Sequence, residues 1–166
     1  KNVEKTKIFR FSKWRPRNPN PIFWLNNEQV EIVETYTYLG TVFSFTGKFK
    51  AAIDKQLMQA QRATFAIKFR QETYNLPVDI MIELFDKMIM PILLYGCEIW
   101  GYSNIDCVEI FYRKFLKDIL KLNSQTTNCM VYGETGRTLL RVIVNSRIVC
   151  FWHKISVSSN KNKLTS

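Results

Sequence analysis

Side-chain periodicity changes once along this chain, at Gly47, and that change leaves few architectures open. Before it, short runs alternate polar and apolar residues between turn formers. After it, apolar residues recur at helical spacing, beginning with a stretch from Phe49 to Gln71 that contains neither Pro nor Gly. A period of two marks half-buried strands, and a period near 3.6 marks helices packed on one face. Strands followed by helices, rather than alternating with them, predict an α+β chain: a small antiparallel β unit followed by a mainly α-helical bundle. A length of 166 residues suits one domain, or one and a half, with a real core.

Within the β unit, Lys7-Ile8-Phe9-Arg10-Phe11 alternates as a strand does, and Pro16 to Pro21 reads as a loop. Ile22–Leu25 and Gln29–Val33 read as a hairpin across Asn26-Asn27, a pair that tolerates the positive φ of a tight turn. Tyr36–Leu39 and Thr41–Phe45 read as two further strands, with Gly40 permitting a sharp exit.

Beyond Gly47, Phe49, Ile53, Leu57, Ala60 and Thr64 predict the inward stripe of a first helix, which Leu76-Pro77 stops. A second helix is expected over Asp79–Tyr95, kinked by Pro91. A third is expected over Asp106–Leu122, with Val108, Phe111, Phe115, Ile119 and Leu122 on one stripe. A fourth is expected over Arg137–Ile155, after a turn around Gly133 and Gly136. Ser156–Ser166 reads as a disordered tail.

The formal charge of +10 and a pI near 9.6 point to a polyanionic partner, with nucleic acid the default. The charge is unevenly placed. Residues 1–17 carry seven cations and one acid, and residues 47–74 carry six and two, whereas Asp79, Glu83 and Asp86, with Glu98 just beyond, outweigh Lys87 and make the second helix acidic. Lys48, Lys55 and Arg62 recur every seven residues and predict a basic ridge on the first helix, extended by Lys68 and Arg70. Such a ridge suits a phosphate backbone, and it equally describes a solvated helix face. Tyr36, Tyr38, Phe43 and Phe45 are aromatics at strand spacing, of which alternate ones can face a ligand.

Four cysteines, Cys97, Cys107, Cys129 and Cys150, form no CxxC pair, and with no secretory signal in view they favour a reduced intracellular setting, nuclear or cytoplasmic. Cys150 and His153 have the spacing of half a zinc site but no second pair, and they suit a helix face as well. The most apolar region, Ile80–Trp100, is interrupted by charges, so no membrane span is expected.

Several segments, in order, resemble the C-terminal part of a non-LTR (LINE-like) retrotransposon reverse transcriptase. Asn2-Val3-Glu4-Lys5-Thr6-Lys7 looks like the segment that follows the catalytic Asp-Asp hairpin of that family. Tyr38-Leu39-Gly40 matches its Tyr-Leu-Gly block, and Pro91 to Trp100 matches its Pro-x-Leu-Leu-Tyr-Gly-x-Glu-x-Trp stretch. Gly133-Glu134-Thr135-Gly136-Arg137 and Phe151-Trp152-His153-Lys154 match two later pieces.

The resemblance implies the β-rich end of a palm-like region over 1–46, a helical thumb-like region over 47–125 and a C-terminal helical region over 126–155. It places Tyr38, Leu39 and Gly40 beside the primer end, and Lys5 near an incoming triphosphate. The family's paired aspartates, which hold Mg2+, would precede Lys1, and this chain has no Tyr-x-Asp-Asp.

The implied partners are RNA and DNA as primer–template, together with a missing N-terminal polymerase region. By itself the chain is expected to hold nucleic acid without polymerising, and no residue in it is assigned a catalytic role. A non-enzymatic basic helical interaction module, or a decayed retroelement remnant, fits the same residues.

Overall fold

The computed structural model describes residues 6–12, 22–25, 27–103 and 105–163, with side chains as far as 158. The Asn2–Lys5 part of the first resembling segment, Lys5 itself and the Pro16–Pro21 loop lie outside these residues. The architecture is α+β, with short strands followed by a mainly helical region. It divides into two units, residues 1–55 and 56–166.

In the first unit, β1 (Lys7–Phe9), β2 (Phe23–Leu25) and β3 (Glu28–Val33) form a sheet in the order β1-β3-β2. β2 and β3 are antiparallel, with Leu25 opposite Glu28 across the turn and Asn27 at φ 65°. β1 joins β3 in parallel, Ile8 beside Ile32, and Lys7 meets Glu31 at 3.0 Å. Strand periodicity carries no sign of direction, so this pairing sense was not legible from residues 7–11 alone. β4 (Thr35–Tyr38) and β5 (Thr41–Ser44) make a separate antiparallel hairpin.

α1 (Lys50–Tyr74) starts in the first unit and continues into the second. Ile53, Ala60 and Thr64 of the expected stripe are buried, as are Ala52, Gln56 and Ile67, while Phe49 and Leu57 are half-buried. The helix stops as Leu76-Pro77 demands. Asn75 takes a left-handed φ of 48°, and the Leu76 amide returns to the Gln71 carbonyl.

The second unit packs α2 (Val78–Leu84), α3 (Met90–Leu93), α4 (Cys97–Trp100), α5 (Asp106–Ile119), α6 (Asn128–Thr135) and α7 (Leu140–Lys163). A π-helical segment, Phe85–Ile89, joins α2 to α3. It stands where a kink at Pro91 was expected. Pro91 has no amide to donate, and the wider turn before it, in which the Met90 amide reaches back to the Phe85 carbonyl, absorbs the mismatch. Phe85 is fully buried against Phe115 and Tyr112, with ring centroids 4.5 and 5.1 Å away.

Three expectations shift at the C-terminal end. α5 stops at Ile119 because Lys121 turns left-handed, φ 53°, and this leaves Leu122 exposed off the stripe. Gly133 sits inside α6 rather than in a turn. Gly136, φ 61°, ends that helix, with the Arg137 amide bonded to the Tyr132 carbonyl. The last helix therefore begins at Leu140, after Arg137, and runs on through residues 156–163 of the expected tail.

No helix among the described residues is long and apolar enough to cross a membrane. None of the four cysteines is in a disulfide. Cys97 is fully buried, and burial, with the charge of Glu98, pushes its thiol above the usual range, whereas Cys129 and Cys150 are exposed. Ellman's reagent at neutral pH should therefore modify Cys129 and Cys150 quickly and Cys97 only on unfolding. Fast reaction of Cys97 in the native protein would contradict this packing.

Candidate nucleic-acid interface

The Tyr-Leu-Gly block is the tip of the β4–β5 hairpin. Tyr38 pairs with Thr41, so Leu39 and Gly40 alone make the turn, at φ 45° and 83°. Two consecutive positive φ angles match the right-handed twist of hairpin strands, which is why such turns favour Asn, Asp and Gly. Leucine there is a departure, with a strain cost of about 1–3 kcal/mol. Its side chain is 73% exposed and that of Tyr38 57%, so both stand open at the hairpin tip. Tyr36 lies near the Phe9 ring, 6.3 Å between centroids. Phe43, on the opposite strand, faces Phe49 at 6.1 Å.

Lys55 is tied to this turn: its Nζ donates to the Gly40 carbonyl oxygen at 3.1 Å. An ammonium carries three donors, so this bond holds a cation at the tip and leaves donors for a phosphate. Within the first unit, then, the exposed Tyr38, Leu39 and Gly40 and the half-buried Lys55 form one group.

The remaining predicted cations are placed differently. Lys48 precedes α1, in the connection where its amide meets the Thr46 hydroxyl at 3.4 Å, so it does not belong to the helical ridge. Arg62 is exposed on α1 and lies over Met58, Nη2 to Sδ 3.9 Å. Lys68 is ion-paired with Asp118 of α5. Arg70 is exposed and lines a shallow site with Phe65, Phe69 and Tyr74.

Sequence periodicity missed what accompanies Arg62. Met58, Phe65 and Phe69 are 47%, 75% and 64% exposed, off the buried stripe. Lys55, Met58, Arg62, Phe65 and Phe69 step by three and four residues, so one helical face combines two cations with three large apolar groups. The signal was present as aromatics outside the inward stripe. Aromatic rings beside cations suit sugar and base faces together with phosphates.

Residues of the 91–100 and 133–137 stretches build structure, whereas Phe151, Trp152, His153 and Lys154 are exposed on α7. The Trp100 indole donates to the Tyr95 carbonyl at 2.9 Å, across a turn that Gly96 makes possible at φ 69°. Arg137 is ion-paired with Asp86, and its Nε donates to the Tyr112 hydroxyl at 2.8 Å. Tyr132 donates to Glu109, whose second oxygen accepts the Arg141 amide at 3.1 Å. Burial raises the Tyr112 hydroxyl above the ordinary tyrosine range, and burial together with the Glu109 bond raises that of Tyr132. This network fixes the α6–α7 connection to α5 and the π-helical segment, with its polar atoms partnered.

Asp86 of the π-helical segment is ion-paired with Arg137, and Asp106 and Asp118, at opposite ends of α5, are ion-paired with Arg141 and Lys68. Among the described residues no group of three or more His, Cys, Asp or Glu side chains is placed to hold a metal ion. No protein-family model, curated protein or solved structure matches the chain.

Proposed function

We propose that this chain is a nucleic-acid-holding part of a retroelement RNA-directed DNA polymerase, gripping primer–template while aspartates and Mg2+ elsewhere perform the chemistry. The observation that carries the reading is the Lys55–Gly40 bond, which sets a cation against an exposed, strained Tyr-Leu-Gly turn. Two further features support it: the net charge of +10, and the exposed Met58, Phe65 and Phe69 beside cations along α1. The turn would meet the primer end through its backbone. The helix face would follow the duplex, cations on phosphates and rings on sugars.

Binding of a labelled RNA–DNA hybrid, followed by fluorescence anisotropy from low to moderate KCl, tests this reading. With two to four phosphates neutralised, log K should fall linearly with log[KCl] at a slope of roughly −2 to −4. An interaction module that grips a protein through Phe65 and Phe69 would give no such binding. An affinity independent of salt would remove the reading.

A further inference from the structure

α5 carries a second cationic surface that no motif pointed to. Arg113, Lys114 and Lys117 lie on one face of that helix and, with Ser124 and Asn128, line a concavity of about 280 Å3 against the connection into α6. The wall is built. Lys117 donates to the carbonyl oxygens of Ser124 and Thr126, at 2.8 and 2.7 Å, and so holds the connection in place. Asp118, the one carboxylate in the lining, is ion-paired with Lys68. Arg113 and Lys114 are in no salt bridge among the described residues. With Ile110 and Leu122 completing the lining, the concavity therefore offers two cations outside any salt bridge beside Asn128 and an ion-paired acid, a combination that suits an anion with an apolar neighbour.

A neighbouring groove suggests where the anion comes from. It shares Lys114 and Asp118 and is lined as well by Phe65 and Lys68 of α1. A strand leaving the α1 face across Phe65 would thus arrive at Arg113 and Lys114. We propose that this concavity seats a phosphodiester of a nucleic-acid strand, a contact additional to the Tyr-Leu-Gly turn and the α1 stripe. The inference rests on the nucleic-acid reading above.

The test compares three proteins for binding labelled oligo-dT and RNA–DNA hybrid across a KCl series: wild type, R113Q/K114Q, and R10Q/K154Q as a charge-matched control outside the concavity. R113Q/K114Q should bind about tenfold more weakly, with a slope shallower by about 1–2. The control should keep the wild-type slope. K114Q alone, at an exposed position, should show part of the loss and guards against misfolding of the double variant.

In wild type, oligo-dT should shift the amide resonances of Ser124 and Asn128. Equal losses in R113Q/K114Q and the control, or shifts produced by inorganic phosphate but not by oligo-dT, overturn the site while leaving nucleic-acid binding in place. Failure of wild type to bind either probe overturns both.

Discussion

Gly101→Val should lower the stability of the helical unit by about 3 kcal/mol, the upper part of the range for overpacking a filled interior. Gly101 caps α4 in an ordinary right-handed conformation, φ −66°, so its backbone alone would accept any residue. The restriction is space. A Cβ there would overlap the Val144 methyl and the Cys97 carbonyl oxygen, and would come within 3.3 Å of Ile148. Both side chains belong to α7, so a larger residue pushes α7 off α4.

Gly133 is the internal contrast. It lies inside α6 with nothing within 4 Å of a Cβ, and it is exposed. Gly133→Ala should raise stability by about 0.5–1 kcal/mol by restricting the unfolded chain. Urea unfolding followed by tryptophan fluorescence should move the midpoint in opposite directions for the two variants. A Gly101→Val midpoint equal to wild type would show that α4 and α7 are not in close contact.

These glycines mark the boundary between what the sequence made legible and what it did not. Local chemistry was readable. The period switch at Gly47 separates strands from helices, Asn27 and Gly40 adopt the positive φ their turns need, and α1 stops before Leu76-Pro77. What escaped depends on partners distant in sequence. Lys68 looked like one more cation of the ridge until α5 brought Asp118 to it, fifty positions away. Arg137 reads as a cation at a helix start, yet it is anchored to Asp86 and Tyr112.

Spacing also misplaced Lys48. A seven-residue repeat counts a residue whether or not the helix has begun, and α1 begins at Lys50. The outer face of α1 escaped for another reason. Phe65 and Phe69 are apolar, and an expectation that apolar residues pack inward hides an exposed aromatic stripe.

The second large effect concerns that stripe. Lys55→Glu combined with Arg62→Glu replaces two cations with two acids at exposed or half-buried positions, so folding should be retained. Lys55 also bonds the Gly40 carbonyl, and its reversal therefore removes the cation from the hairpin tip as well as from the helix. Each lost phosphate contact should reduce the salt slope by about one, so the double variant should be shallower by about two and bind at least about tenfold more weakly. Phe65→Ala with Phe69→Ala should weaken binding by a different route. Stacking contributes about 1–3 kcal/mol per base in single-strand sites, and its loss leaves the salt slope unchanged.

The most direct measurement is therefore the salt dependence of RNA–DNA hybrid binding by wild type and Lys55→Glu/Arg62→Glu, with thermal melts on the same samples. The account predicts equal melting, a steep wild-type slope and a slope shallower by about two in the variant. Equal slopes with equal melting would contradict it and leave the cations of α1 as a solvated surface.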